Sequence, residues 1–429
     1  MIDTIFAVSS GAPPAAIAVL RISGPEAGPA LKTITGREML PVPRRATLRI
    51  LTDPKTGDRL DHALVSWFPG PATATGEDLA ELHLHGGRAV VAAVERALAA
   101  IAGLRPAEPG EFTRRALASG RIDLAEAEGL GDLLSAETEA QRRAALSSVE
   151  GAVSRAIADW NRKLLEVSAG IEAMLDFSDE DDVAPEALSL TTTRIAELAD
   201  AIAEVLTNPP VERLRDGVRV VLAGAPNAGK STLLNALAER EAAIVSPIAG
   251  TTRDRIEVPV VREGIAYLLI DVAGMAAATD DPIERIGIER AQESIRSADI
   301  VILFDDTIAP PSNAAAIRIR ARADIDAGGN ESVLAVSART GLGVTALWEK
   351  IAAAASRLMP RLDLLVLNRR QRELCHEAEA ALRTAIGAPD LLIVAEQCRL
   401  ARRAFDRITG TSDTEAMLDA LFGRFCIGK

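Results

Sequence analysis

Aromatic residues are scarce, at 3% of 429 residues, so Leu, Ile, Val and Ala must fill the cores; the 48% apolar content supplies them amply. Cysteine is nearly missing. Cys375, Cys398 and Cys426 form no CxxC pair, which excludes a disulfide framework and a thiolate metal cluster and suits a reducing cytoplasm. There is no excess of positive charge. At a net charge of −13, nucleic acid cannot be held by bulk attraction, and only a local basic face stays open. The cations are overwhelmingly Arg, so each surviving Lys invites a specific reason. No apolar run reaches the length of a membrane span, and "MIDTIFAVSS" lacks the basic start of a secretory signal. The expectation is a cytoplasmic protein without a membrane partner.

A chain of this length predicts two or three domains. Residues 1–118 mix short apolar runs ("AIAVLRISG", "HALVSWFPGP", "LAELHLHGG") with turn signals and one amphipathic helix, "GGRAVVAAVERALAAIAG", an α+β pattern. Residues 119–216 read as helical: from "IDLAEAEGL" to "AMLDF" apolar residues recur at three and four with no proline, the acidic "SDEDD" interrupts, and "LTTTRIAELADAIAEVL" resumes. From 217 to 358 the grammar becomes strand, loop, helix, the alternation of a parallel α/β sheet. Helical grammar returns at 359–429. A helical region on both sides of an α/β unit predicts one helical domain interrupted by an inserted domain.

"GAPNAGKS" spells Gly224-x-x-x-x-Gly229-Lys230-Ser231, the phosphate-binding loop, and it stands in the context that motif requires, after an apolar strand and before a helix. The glycines let backbone N–H groups turn towards phosphates, and the helix N-terminus adds its positive dipole end. Lys230 is expected to reach the β- and γ-phosphates and Ser231 to ligate Mg2+. Downstream, "GTTRD" offers Thr251 and Thr252 to the metal and the γ-phosphate, and "LLIDVAG" places Asp271-x-x-Gly274 at the end of an apolar strand. Singly these tetrapeptides are weak; in this order they specify a GTPase domain. Many small GTPases then carry a water-positioning Gln, but here the position holds Met275. The polar groups for hydrolysis must come from elsewhere, or the protein binds nucleotide without hydrolysing it.

At this point the sequence closely resembles the MnmE (TrmE) family of tRNA-modification GTPases. The resemblance spans nearly the whole chain and rests on "LRISGP", "WFPGPATATGEDLAELHLHGG", "PGEFTRRAL", "IDLAEAE", "PNAGKSTLLNAL", "AAIVSPIAGTTRD", "IERIGIERA", "SART" and the terminal "FCIGK". It implies an α+β N-terminal domain (1–118) that binds a tetrahydrofolate and dimerises, an all-α helical domain (119–216 and 359–429), and an inserted α/β P-loop GTPase domain (217–358). It implies GTP hydrolysis to GDP and phosphate, dependent on Mg2+ and K+. It also implies joint action with the flavoprotein MnmG, in a heterotetramer, on C5 of the wobble uridine of certain tRNAs, with 5-formyl- or 5,10-methylene-tetrahydrofolate as the folate.

Carried over residue by residue, nucleotide contacts are implied at Asn227, Ala228, Gly229, Lys230, Ser231 and Thr232. Further contacts fall on Ser246, Pro247, Ile248, Ala249, Gly250, Thr251 and Thr252, then on Asp271, Val272, Ala273 and Gly274, and then on Asp324, Ser337, Ala338 and Arg339. Ser231 and Thr252 match the Mg2+ positions; Asn227, Ser246, Ile248 and Thr251 match the K+ positions. Glu284 matches the glutamate that positions water, filling the gap left by Met275. Folate contacts fall on Arg21, Glu81, Arg121 and Lys429, and Cys426 is a candidate nucleophile. Read singly, Arg21 and Arg121 are surface salt-bridge partners, Glu81 is a strand's solvent face and Cys426 is a packed thiol.

Three departures from the family pattern stand out. The Asp-Thr-Ala-Gly of the family is "DVAG" here, and one extra residue separates Gly274 from Glu284. The guanine-reading Asn-Lys-x-Asp is best matched by Ala321-Arg322-Ala323-Asp324, which keeps the Asp, puts Arg where Lys covers the ring, and loses the Asn. Two rival readings are a ribosome-assembly GTPase and a folate-binding regulator with a degenerate GTPase domain. The terminal "LFGRFCIGK" poses its own question. Gly428 and Lys429 are poor in the last positions of a prenylation motif, which leaves either a packed helix end or a functional tail.

Overall fold

A computed structural model of the chain describes residues 3–176, 185–239, 255–272, 292–304, 314–325, 333–410, 421–423, 425 and 428. Its contacts group into two compact units, Met1–Gly131 with Asp406–Lys429, and Asp132–Phe405.

The first unit is built on β1 (Thr4–Val8), β2 (Ile17–Ser23), α1 (Ala27–Thr35), β3 (Thr47–Thr52), β4 (Arg59–Phe68), β5 (Leu79–His85), α2 (Arg88–Ala99), β6 (Leu104–Pro106), α3 (Glu111–Ala118) and α4 (Leu124–Leu134). The strands form one sheet in the order β3-β4-β5-β2-β1-β6, antiparallel except where β1 runs parallel to β6. Period-two alternation assigns its faces. Leu20, Ile22, Ala80, Leu82 and Val65 point to a core roofed by Leu31 and Ile34 of α1 and by Val94 and Leu98 of α2. On the opposite face Ile5, Ala7, Ala107 and Phe112 form a smaller cluster. Arg21 pairs with Ala7 across β2 and β1 and with Glu81 across β2 and β5, so the two charged residues share that second face.

The second unit joins helices to an α/β sheet. Its helices α5 (Glu139–Val149), α6 (Ala152–Asp176), α7 (Pro185–Thr207) and α8 (Glu212–Asp216) precede β7 (Val218–Ala223), α9 (Lys230–Glu239), β8 (Arg255–Arg262), β9 (Ile265–Val272), β10 (Ile300–Leu303), β11 (Ala315–Arg320), β12 (Leu334–Ala335) and α10 (Val344–Ser356); α11 (Arg369–Ile386) and α12 (Leu391–Thr409) follow. The sheet order is β12-β11-β10-β7-β9-β8, parallel except for the edge hairpin β8–β9. Strand β7 is an unbroken apolar run because both of its faces are covered. Val220 and Leu222 meet Leu233 and Leu237 of α9 and Trp348 of α10, while Val221 and Ala223 meet Ile270 and Val301 on the other side. In the helical part, α6 buries Val153, Ile157, Trp160, Leu164, Val167 and Ile171, a stripe at three- and four-residue spacing. The expected multidomain class, with an α+β N-terminal part, a helical part and an inserted α/β part, is what the chain forms.

Candidate functional site: a phosphate loop, a base cavity and a charged sheet face

Strand β7 delivers the chain into the loop 224–229, and α9 begins at Lys230. Gly224 is required there because a Cβ would stand 2.6 Å from Cβ of Phe304. Gly229 adopts φ +95°, open to glycine and costly to any other residue. Asn227 lies in the left-handed region at φ 59°, which Asn tolerates better than most residues. Lys230 is buried, and its ammonium donates to the carbonyls of Gly224 at 3.1 Å and Ala225 at 3.0 Å. Burial depresses its pKa, and the charge of Asp271 partly opposes that shift.

Ser231 donates its hydroxyl to Oδ2 of Asp271, which β9 places beside β7 through the pair Leu222–Asp271. The other carboxylate oxygen, Oδ1, is buried and has no hydrogen-bond partner among the described residues. A hydroxyl and an unsatisfied buried carboxylate oxygen, at the start of a helix beside a buried Lys, form a hard oxygen donor set that suits Mg2+ with its water shell.

Beside the loop lies a cavity of about 180 Å³. Ala228, Gly229 and Thr232 line one side; Arg322, Asp324, Ser337, Ala338 and Arg339 line the other. Asp324 is held below the ordinary carboxylate pKa, first by a hydrogen bond to Ser337 and then by the charges of Arg339 and Arg322. Arg322, also left-handed at φ 56°, donates Nη2 to the carbonyl of Asn227. The sequence reading missed two features here. Phe304 lines the cavity where "DIVILF" leaves the sheet, and Arg322, expected only to cover the base, bonds the phosphate loop.

In the first unit Arg21 donates Nε and Nη2 to Oε1 of Glu81 at 3.1 and 2.8 Å, and its guanidinium lies 5.8 Å from the centre of the Phe112 ring. Two of the four folate candidates are thus ion-paired with each other. Arg121 donates Nε to the carbonyl of Thr73 at 3.1 Å. Nearby runs a network that sequence reasoning did not single out, although "PGEFTRRAL" carries Glu111 and Arg115 of it. Arg115 pairs with Asp3, Glu77 and Glu111, and Arg105 with Asp3 and Glu111. Burial pushes the Asp3 and Glu111 carboxyls up, but hydrogen bonds and charge from Arg105 and Arg115 outweigh it and hold both below their ordinary values.

The tail returns to this unit. Phe422 and Phe425 pack on Ala127, and a Cβ on Gly428, at φ +96°, would sit 2.0 Å from the carbonyl oxygen of Val8. Cys375 and Cys398 are buried thiols pushed up to about 12 and about 11, first by burial, and so are poor nucleophiles. Outside the described residues lie Glu284, Cys426, Lys429, Met275, Ala273, Gly274 and the whole segment carrying Ser246, Pro247, Ile248, Ala249, Gly250, Thr251 and Thr252. No helix among the described residues is long and apolar enough to cross a membrane.

Comparison with known proteins bears on the whole chain. The model of the N-terminus of GTP-binding protein TrmE matches residues 4–121, and that of the MnmE helical domain matches residues 124–426. The tRNA modification GTPase MnmE of Erythrobacter litoralis (strain HTCC2594) is 56% identical over 429 residues, covering 100% of both chains. The protein so named in Rhizorhabdus wittichii is 57% identical, covering 100% of this chain and 97% of that one, and its counterpart in Sphingopyxis alaskensis is 53% identical over 96% and 100%. Among solved structures, the G domain of the T. maritima FeoB iron transporter is 26% identical and covers 32% of this chain and 98% of that one, but its TM-score of 0.26 is too low to carry weight. Matched over residues 4–121 and 124–426 by the two domain models and along its whole length by relatives above half identity, the chain belongs to the MnmE (TrmE) family of tRNA modification GTPases.

Proposed function

We propose that the chain hydrolyses GTP to GDP and phosphate in the service of tRNA modification, as the name of its relatives, tRNA modification GTPase, implies, and that the modification is made in the cytoplasm at C5 of the wobble uridine, as the family resemblance implies. The observation that carries this reading is the Lys230–Ser231–Asp271 arrangement on a strand–loop–helix, with an unsatisfied buried Asp271 oxygen beside it. Loop N–H groups and the N-terminus of α9 would bind the phosphates, and Lys230 would turn from its loop carbonyls to their oxygens. Ser231 and Thr252 would hold Mg2+, with Asp271 accepting from its water. Asn227, Ser246, Ile248 and Thr251 would hold K+. The two cations supply positive charge where the transition state gathers negative charge. Glu284 would orient the attacking water where Met275 cannot. Asp324 would read the guanine N–H edge, with Ser337, Ala338 and Arg339 along the other side.

In the N-terminal unit, Arg21, Glu81, Arg121 and Lys429 would bind a 5-formyl- or 5,10-methylene-tetrahydrofolate. Guanidinium groups suit its glutamyl carboxylates, and a carboxylate suits the N–H edge of the pterin. Arg121 fits this role, since its Nη groups have no partner among the described residues. Glu81 would exchange part of its bond to Arg21 for the pterin. Cys426 would act near the reaction centre. A homodimer formed through the N-terminal domains and a complex with the flavoprotein MnmG complete the proposal. The ribosome-assembly reading loses ground because the TrmE N-terminal model covers residues 4–121. The test is analysis of wobble uridines in tRNA from a deletion strain. Loss of the C5 group, restored by the wild-type gene and not by a Lys230→Ala copy, is expected; an unchanged uridine overturns the proposal.

A further inference from the structure

A chain of net charge −13 leaves room only for a local basic face, and one lies at the end of the α/β sheet away from the nucleotide loop. Strand β11 begins at Ala315, beside Ile300, and the nucleotide cavity starts past its other end, at Ala321. Six residues of strand put about 20 Å between the two places. Between the start of β11, β12 and the last two turns of α10 opens a cavity of about 560 Å³. Ala315 and Ala316 of β11 and Ala353 and Ala354 of α10 keep it open, since none carries more than a methyl group. Its charged lining is Arg318, Lys350 and Arg357, and no carboxylate lines it among the described residues. Lys350, Ala353, Ala354 and Arg357 recur at three- and four-residue spacing and so share one face of the end of α10. Several exposed cations of this unit are tied in ion pairs, Arg142 to Glu139, Arg162 to Asp159 and Arg383 to Asp200. The side chains of Lys350 and Arg357 have no such bond to a described residue. The dipole of α10 favours Arg357 at its C-terminus, but that effect fades within one turn and does not account for Lys350, nearly two turns earlier.

We infer that this cavity is a docking site for the ribose–phosphate backbone of tRNA, with Lys350 and Arg357 each meeting a phosphate and Arg318 adding a third positive charge. In an acidic chain most of the surface repels a polyanion, so a cluster of cations without acids is where one can approach. Seven residues of helix separate Lys350 and Arg357 by about 10 Å along its axis. The two therefore address different phosphates of one strand, which a single small anion cannot do. The alanine walls let a phosphate and its sugar come close to the protein backbone, and the volume suits a group of that size. No aromatic residue lines the cavity among the described residues, so it offers no platform on which a base could stack. The contact is then a positioning one, blind to sequence, that holds the body of the tRNA while its bases are read elsewhere. It also gives a reason for a Lys at position 350, in a chain where 6 of the 48 cationic residues are Lys. Because the site stands at the far end of the sheet, it is independent of nucleotide affinity. The inference rests on the tRNA-modification reading given above.

The test measures tRNA binding to the full-length protein over a range of salt concentrations, for the parent and for Lys350→Gln, Arg357→Gln, the double variant, Ala353→Glu and Lys350→Arg. Each loss of a cation is expected to weaken binding about fivefold at about 0.1 M salt and to reduce the slope of log affinity against log salt by about one. Ala353→Glu, which puts a carboxylate into the cavity, should weaken binding at least as much, and Lys350→Arg should bind as the parent does. GDP affinity should hold in all of them. Acylation of lysines, read by mass spectrometry, gives a second measure: tRNA is expected to protect Lys350, and inorganic phosphate at the same phosphate concentration is not. Variants that bind tRNA as the parent does, or a parent whose tRNA binding ignores salt, overturn the docking site. Protection of Lys350 by inorganic phosphate as fully as by tRNA overturns it too and assigns the cavity to a small anion; protection by polyglutamate and not by tRNA assigns it to an acidic protein surface. None of these outcomes alters the wobble-uridine analysis of the deletion strain, and unchanged uridines there would overturn the proposed function while the binding measurements stand.

Discussion

In the proposed reading of the cavity, Asp324 is the side chain that bears most on specificity. An Asp accepts two hydrogen bonds from the guanine ring N–H and amino group, and an Asn cannot accept both. Asp324→Asn is therefore expected to shift preference from GTP towards XTP, whose base carries a carbonyl in place of the amino group; equal binding of both nucleotides to parent and variant would remove Asp324 as the reader. With Ala at 321, guanine nucleotides should also bind about fivefold more weakly than in relatives that keep the Asn, the scale of one neutral hydrogen bond. Gly428 gives a second test at this scale. Its φ of +96° and the 2.0 Å approach of the Val8 oxygen leave no room for a Cβ. Gly428→Ala should release the tail, so carboxypeptidase removes it faster and reduced-folate affinity falls while GDP affinity holds. These sites were not equally legible in the sequence. Gly224, Gly229, Lys230 and Ser231 could be read at once because phosphate binding dictates backbone freedom and one cation at fixed spacing. The contact between Arg322 and Asn227 could not, since nothing local records a bond between residues so far apart in the chain.

Elements were legible where periodicity rules and less so where a cap overrides it. The amphipathic run "GGRAVVAAVERALAAIAG" becomes α2 within a few residues of its apparent ends. The stretch after residue 119 reads as one unbroken helical region for want of proline, yet it folds as α4, α5 and α6. Thr138 ends the continuity: its side chain accepts from the backbone N–H of Gln141, and Gln141 returns the bond to the N–H of Thr138. The signal was present as T-x-x-Q, a capping box. A clasp between linkers was invisible to any local pattern. Asn208 is buried; its amide donates to the carbonyls of Arg361 and Leu365 at 3.2 Å each and accepts from the N–H of Arg361 at 2.9 Å. Arg372 donates to the carbonyls of Leu206 and Asn208, and Val211 N–H to that of Leu367. The two crossings between helical and α/β parts are thus tied to each other. Asn208→Ala strips three bonds from buried groups and should cost about 2–3 kcal/mol in denaturant unfolding; a loss under about 0.5 kcal/mol would show the clasp to be incidental. The Arg105–Arg115 network gives a pH test. Asp3 and Glu111 have depressed folded pKa values, so their stabilisation is present above the unfolded values of 3.8 and 4.5 and fades as pH falls below them towards the folded ones. Acid unfolding of the N-terminal unit should therefore steepen below about pH 4.5, and Arg115→Gln should flatten that limb, as read by far-UV circular dichroism.

For the molecule as a whole, the α/β grammar between helical segments announced three parts, and the family resemblance covered them end to end. What periodicity could not show was that the last residues pack on the first unit, because a tail of nine residues has too little pattern to name its partner. The same limit applies to catalysis, which the sequence states mainly through an absence. Met275 stands where a side-chain amide would orient water, so the chemistry must be assembled from elsewhere. The proposed substitutes are a monovalent cation near Asn227 and the carboxylate of Glu284. A cation held by oxygen donors from two loops neutralises developing charge without an arginine finger, but only if those loops close on it. Closure should be favoured when two GTPase domains pair and shield the site from water. GTP turnover is therefore expected to rise with K+ and not with Na+, whose smaller radius fits a K+ shell poorly, and the rise should track pairing of the GTPase domains seen by a spin or fluorescence distance probe. Glu284→Ala should lower kcat by about a hundredfold or more, as lost general-base positioning does, with GTP affinity nearly unchanged because that carboxylate acts only in the transition state. Equal turnover in K+ and Na+, or a Glu284→Ala variant that loses affinity as much as rate, would send the search for the water-positioning group elsewhere in the chain.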